Sequence, residues 1–183
     1  MGAATRRELL IGCGDRRFKR IAPPGHEEWT GLITLDIDRI HKPDVVWDLN
    51  KRPLPFEDNY FDEIHAVEVL EHIGRQGDAQ SFFAEFSEYW RILKPEGFLI
   101  ATVPMWNSIW AFSDPSHTRV ISSGTLTFLQ QPEYSKPPSV RGPMTDYRSI
   151  YKADFEPAHV EENGEAFIFA LRAVKPSRIQ EGR

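Results

Sequence analysis

A single cysteine, Cys13, stands among 183 residues, so no internal disulfide can form and a cysteine-based zinc cluster is excluded. No apolar run approaches the roughly 20 residues that a membrane-spanning helix needs. The opening stretch from Met1 to Arg7 lacks the apolar centre of a signal peptide. Internal repeats and low-complexity blocks are missing as well. Positive charge is not in excess either: the net charge is −5, which disfavours non-specific binding to a polyanion. These absences lead us to expect a cytoplasmic, reduced setting, no membrane span, and no nucleic-acid partner.

What is present suits a globular domain. Hydrophobic residues make up 40%, charged residues 27% and aromatics 12%, a balance that argues against global disorder. The length corresponds to about one domain at roughly 100–200 residues each. We expect one domain over residues 1–176 and a polar tail over 177–183. Arg6, Arg7, Arg16, Arg17, Lys19 and Arg20 crowd the first twenty residues against only Glu8 and Asp15. Such a run is either a solvated surface or an anion-attracting rim beside the first loop.

Short apolar runs punctuate the first hundred residues. Glu8 to Gly12 reads as a strand that breaks into Gly12-Cys13-Gly14. Gly31 to Asp36 and Asp44 to Asp48 are two more, each ending on an acid. Phe61 to Val69 is a fourth, and Gly97 to Val103 a fifth that stops at Pro104. Continuous apolar runs of this length suit strands covered on both faces, as in parallel sheets. Between the last two, Asp78 is placed to cap a helix on which Phe82, Phe83, Phe86, Trp90 and Leu93 recur at helical spacing before Lys94-Pro95 ends it. That aromatic stripe is expected to be core packing. A shorter helix is expected from Ser123 to Leu129.

Residues 130–147 hold Pro132, Pro137, Pro138 and Pro143 with little apolar periodicity and read as a loop. Its length, with Tyr134, Lys136 and Arg141, makes it a candidate for closure over substrate. Asn163-Gly164 then separates the stretch around Tyr151–Glu162 from the apolar Ala166–Leu171, a strong hairpin signal. The pattern is that of an α/β domain with a mostly parallel sheet, abbreviated crossovers and a C-terminal antiparallel hairpin. In such sheets ligands bind beyond the carboxyl ends of the strands, which is where the glycines and acids fall.

Gly12-Cys13-Gly14 alone is a weak signal, since the pair also serves as a plain turn. The dinucleotide fingerprint wants a third glycine where the chain has Arg17. The use of such a pair is close backbone approach and exposed N–H groups for a carboxylate. Cys13 between them reads as a small filler. Asp36 lies about twenty residues on, where a carboxylate accepts from both ribose hydroxyls, and Asp48 is placed to accept from an adenine amino group. Each acid singly is as well explained as a strand-end turn residue. Three neighbouring strand ends supplying glycines, an acid and another acid are harder to explain that way.

At this point the chain resembles class I S-adenosylmethionine-dependent methyltransferases of the small-domain type, over about residues 8–129. The pieces are Leu9 to Gly14, Ile33 to Ile37, Asp44 to Leu49, Leu54 to Ile64, Val69 to Ile73, Arg91 to Ile100 and Asp114 to His117. The resemblance implies a Rossmann-like fold with a seven-stranded sheet, the last strand antiparallel, and S-adenosyl-L-methionine as cofactor. It assigns Gly12, Cys13 and Gly14 to the methionine part and Asp36 to the ribose. Asp48 with Leu49 would flank the adenine, Ile37 would pack on its face, and Val67 and Glu68 would lie near the methionine amino group and sulfonium.

The chain departs from the family pattern at Leu10, where an acid is usual, and at Arg16, where a third glycine is usual. Glu68 is the expected substitute for the first, and Arg16 itself is expected to bind the cofactor carboxylate. His72, His117 and Asp114 are the candidates for proton handling at the cleft, Asp114 orienting His117. A metal is not expected, because Glu71 and His72 are adjacent and would diverge on a helix. The expected activity is methyl transfer to a small-molecule or glycan-type acceptor. The alternative is a catalytically inactive module that keeps the fold for binding or interaction.

Overall fold

A computed structural model describes residues 6–179 of the chain. Strands β1 (Glu8–Ile11), β2 (Leu32–Asp36), β3 (Val45–Val46), β4 (Phe61–Val67) and β5 (Leu93–Pro104) are joined by β6 (Phe155–Glu162) and β7 (Ala166–Ala173). They form one seven-stranded sheet in the order β3-β2-β1-β4-β5-β7-β6. The first five run parallel, while β7 lies antiparallel to both β5 and β6. The expected α/β class and Rossmann-like sheet are therefore found. Asn163 makes the closing turn by accepting at its side-chain oxygen from the Ala166 amide at 2.9 Å, and Gly164 supplies the positive φ of 90° that the turn needs. No helix among the described residues is long and apolar enough to cross a membrane.

The helix α1 (Ala79–Ile92) starts where its cap was expected, with the Asp78 carboxylate accepting from the Ser81 amide at 3.0 Å. Phe83, Phe86, Tyr89 and Ile92 point into one core with Leu9 and Ile11 of β1, Ile64 of β4 and Leu99 of β5. The aromatic stripe is core packing, and each such side chain contributes about 1.5–3 kcal/mol by leaving water.

The opposite sheet face is built differently. The crossover from β1 to β2, residues 12–31, contains no helix. Glu8 and Glu63 face each other in register on β1 and β4, both fully buried. The crossover brings Lys19 and His26 down onto them: Lys19 donates to Glu8 and, at 3.1 Å, to Glu63, and His26 pairs with Glu63. His65 adds a 2.8 Å contact to Glu63 and is itself covered edge-on by Trp29. A charge cluster thus replaces the apolar helix face that usually covers such a sheet. The crossover therefore covers the sheet without a helix.

Burial alone would raise the Glu63 carboxyl, but the bonds from His65, His26 and Lys19 outweigh it and hold it at about 2. An acid depressed in this way stabilises the fold above its unfolded value near 4.5 and loses that contribution as pH falls towards 2. The expected result is acid-labile stability: between pH 4.5 and 2 the wild type loses up to roughly 3 kcal/mol from this group. Glu63→Gln flattens that limb, as urea melts across the pH range would show.

One expectation needs correction. Residues 130–147 are not a featureless loop, since they hold two short helices, α4 (Gln131–Ser135) and α5 (Pro138–Arg141), which follow α2 (Trp110–Ser113) and α3 (Ser123–Thr127). Pro132 and Pro138 sit in their first turns, where a missing N–H costs nothing. Tyr134 is buried with its hydroxyl donating to the Phe128 carbonyl at 2.7 Å, so it anchors the segment and is not a lid residue; Lys136 pairs with Glu133. The Arg141 side chain lies outside what the structure describes. The tail is likewise held at its start. Arg178 donates through Nε to the buried Asp154 carboxylate at 2.7 Å, and Lys175 donates to Asn59 at 2.7 Å. Residues 180–183 lie outside the described residues.

Candidate functional site

The parallel register sets the carboxyl ends of β1, β2 and β4 side by side. Ile11 pairs with Leu35 on one side and Ala66 on the other, so Gly12, Asp36 and Val67 follow as neighbours. Gly12 has φ +57°, and a Cβ there would lie 2.4 Å from a Val69 methyl carbon. Only glycine allows the turn. Gly14, at φ +48°, has nothing within 4 Å of where its Cβ would be, so the loop is open on that side.

Asp36 is 8% exposed, and its two oxygens divide their work. Oδ2 accepts from the Gly14 amide at 2.9 Å and Oδ1 from the Asp38 amide at 2.9 Å. An ionised carboxylate offers about four acceptor positions, so each oxygen keeps one for a ligand. That pair matches the two vicinal hydroxyls of a ribose. Ile37 is 65% exposed beside it, an apolar surface at the same edge. The Gly14 amide, expected to serve a ligand carboxylate, is spent on Asp36. Cys13 is buried, and burial pushes its thiol up, which fits a filler and not a nucleophile.

The other expected cofactor residues are placed less uniformly. Asp48 lies two residues beyond β3, with Oδ1 accepting from the Asn50 amide at 2.9 Å, a turn-forming role that leaves Oδ2 for another donor. Leu49 belongs to the hydrophobic core and presents little surface to a ligand. Val67 is half-buried at the end of β4. Glu68 is exposed at φ +53° and accepts from the Thr102 hydroxyl at 2.7 Å. Arg16 is exposed, and it is the next residue, Arg17, that holds the glycine loop. Arg17 donates to the carbonyls of Cys13, Gly14 and, at 2.7 Å, His41. It straps the loop to the 3-10 turn Arg39–His41 that follows β2, work that nothing in the run of basic residues distinguishes from its neighbours.

Past β4 the chain makes one 3-10 turn, Leu70–His72. The 114–119 segment comes back onto it through bonds to its carbonyls: the Thr118 amide donates to the Glu71 carbonyl at 2.8 Å, and the Arg119 side chain donates through Nε to the Leu70 carbonyl at 2.8 Å. Arg119 is buried and donates through Nη2 to Glu85 of α1 at 2.8 Å. The result joins His72 and His117, whose ring centroids are 4.7 Å apart at an edge-on angle of 77°. Asp114 stands on the exposed side, its Oδ2 3.9 Å from His117 Nε2. Its Oδ1 accepts from the Ser116 amide at 2.8 Å, and those Ser116 bonds hold the Asp114 carboxyl below its usual range.

Glu71 is the residue sequence reasoning discounted. It is buried at 2% exposure, and neither carboxylate oxygen has a hydrogen-bond partner. Burial, reinforced by Glu68 and Asp114, pushes its carboxyl up to about 8. The divergence from His72 expected of adjacent helical residues does not occur, because a single 3-10 turn replaces the helix. Glu71, His72 and His117 offer ligand atoms within 4.8 Å of one another. The available signal was an acid set in the otherwise apolar run Val69 to Ile73.

Two grooves border this corner. One of about 480 Å³ is lined by Phe82, Phe83, Arg119, Phe128 and Tyr147. The other, about 550 Å³, is lined by Trp106, Phe112, His117, Arg119 and Thr125. Both fall within the size of small-molecule sites.

Comparison with known proteins supplies the wider setting. Residues 9–101 match the family described as a methyltransferase domain. No protein of curated function matches the sequence. Among solved structures, a SAM dependent methyltransferase from Archaeoglobus fulgidus is similar at 17% identity, covering 92% of this chain and 86% of its own, with a TM-score of 0.56. An S-adenosylmethionine dependent methyltransferase from Mesorhizobium loti is similar at 16% identity, covering 92% and 91%, with a TM-score of 0.55. The cyclase SpnF aligns equally well, at 14% identity, 92% and 75% coverage and a TM-score of 0.55. At these identities the likenesses establish the fold.

Proposed function

The chain belongs to the methyltransferase-domain family, and on that premise we propose that it is an S-adenosyl-L-methionine-dependent methyltransferase acting on a small-molecule or glycan-type acceptor. The observation that carries this reading is Asp36. Its two remaining acceptor positions lie beside an open glycine turn at the carboxyl edge of the sheet. The residues fit the group: Gly14 leaves room, Asp36 takes the ribose hydroxyls, Ile37 gives the adenine an apolar surface, and Asp48 keeps an oxygen for its amino group. Val67 and Glu68 border the methionine end. When bound, the cofactor supplies a methyl already activated on a sulfonium.

The protein's remaining tasks are position and exclusion of water, with reacting atoms held at about 3–3.5 Å. The grooves at Trp106, Phe112 and Tyr147 supply an aromatic bed for the acceptor. His72 has its Nδ1 beside the Ser116 carbonyl at 3.3 Å, so that nitrogen carries the hydrogen and Nε2 keeps a lone pair. Where no cation holds it, Nε2 takes the acceptor's proton, a role supported by the half-exposed position of the ring. Asp114 acts through Ser116 on that geometry. A cytoplasmic setting is in keeping with the single buried thiol.

Isothermal titration with S-adenosyl-L-methionine tests the reading, and saturable binding with a rise in melting temperature is expected. Absence of both heat and thermal shift would favour the non-catalytic module. That alternative draws on the helix-free first crossover, and the cyclase SpnF shows that the fold also serves other chemistry.

A further inference from the structure

The corner formed by the turn after β4 and the 114–119 segment holds a buried carboxylate without a partner and two imidazoles, all converging. From this juxtaposition we propose that Glu71, His72 and His117 bind one divalent transition-metal cation of the zinc type, at a site beside the groove that His117 lines with Trp106 and Phe112.

The donor set is one carboxylate and two imidazoles, a combination that serves three-ligand zinc sites with an open fourth position. Glu71 Oε1 lies 3.9 Å from His72 Nε2 and 4.0 Å from His117 Nε2. Three atoms mutually 4–5 Å apart lie about 2.3–2.8 Å from a common centre, so an inward shift of a few tenths of an ångström reaches the roughly 2.0–2.2 Å of zinc bonds. Ordinary side-chain adjustment covers that difference.

Burial makes the case stronger than proximity alone. Both Glu71 oxygens are enclosed with no hydrogen-bond partner, and unsatisfied buried polar atoms are rare unless a ligand completes them. The void that Glu71 and His117 share with Val103 and Ala111 is too small for a water molecule. A water in that void therefore does not satisfy the carboxylate. The support is also prepared. His72 Nδ1 faces the Ser116 carbonyl at 3.3 Å and hydroxyl at 3.2 Å, which fixes the tautomer that presents Nε2 to a metal. Backbone bonds from Thr118 and Arg119 to the Glu71 carbonyl lock the two segments together. The partly exposed His72 marks the side from which the cation enters and on which its open position faces.

The role of such a cation rests on the methyltransferase reading: a Lewis acid at the groove holds an acceptor oxygen and makes its proton easier to lose. Cation binding itself does not depend on that reading. The whole chain, treated with a chelator and desalted, is titrated with zinc against a chromophoric competitor. One equivalent bound and a raised melting temperature are expected. His72→Ala and His117→Ala should each weaken binding by at least roughly 10–100-fold, since even an outer partner contributes that much. His72 is partly exposed, so its variant tests the site without a folding defect, and unloaded melting curves confirm this. No saturable uptake, or uptake unchanged in both variants, would overturn the proposal. Zinc binding without S-adenosyl-L-methionine binding would sustain the metal site while removing the assigned cofactor, and the reverse result would do the opposite.

Discussion

Asp36→Ala is expected to lower affinity for S-adenosyl-L-methionine by on the order of 100-fold or more. Two hydrogen bonds from ribose hydroxyls to a charged carboxylate contribute about 1.5–3 kcal/mol each, and each 1.4 kcal/mol is roughly tenfold in binding. The carboxylate also orders the loop, accepting from the Gly14 and Asp38 amides. Asp36→Asn keeps the shape and one acceptor oxygen, but its amide nitrogen then faces a backbone N–H of Gly14 or Asp38, so affinity and unloaded melting temperature should both fall, each by less than in the alanine variant. Calorimetric titration of both variants checks the prediction. Undiminished affinity in the alanine variant would move the nucleoside away from this edge of the sheet.

The second large effect is on stability. Glu85 and Arg119 are both buried, and the pair ties α1 to the segment that carries His117. Glu85 Oε1 also accepts from the Tyr89 hydroxyl at 3.0 Å. Glu85→Ala leaves the Arg119 guanidinium enclosed without its counter-charge, which costs about 3–5 kcal/mol. At roughly 2–4 °C per kcal/mol for a chain of this size, the melting temperature falls by about 6–20 °C. Urea and thermal melts measure it directly. A change below 1 kcal/mol would mean that water reaches Arg119 and that the segment is held mainly by its backbone bonds.

Much of the cofactor side was legible in the residues themselves. Gly12, Gly14 and Asp36 end apolar runs, and in a parallel sheet neighbouring run ends meet at one edge, so one-dimensional pattern carries over into space. The family resemblance was equally local, resting on short pieces in a fixed order. For Arg16 and Leu49 the pattern marks a position along the chain and not the direction of its side chain. Arg17 turns back onto the loop, and Leu49 turns into the core. Residues 130–147 were read as a loop since prolines are as common in first helical turns as in irregular backbone.

For the histidine corner the sequence named His72, His117 and Asp114 but not how they meet. His72 and His117 meet only because α1 and β5 fold between them and the chain returns over Glu71, held by Arg119 and Glu85. Glu71 becomes buried and partnerless through that return. The sequence alone determined the α/β class, the strand ends of the parallel half and the closing hairpin, because these follow from short-range apolar periodicity and backbone freedom. The tertiary structure decided which imidazoles converge, which arginine is used and which carboxylate is enclosed, because contacts between distant segments depend on packing that no local pattern encodes.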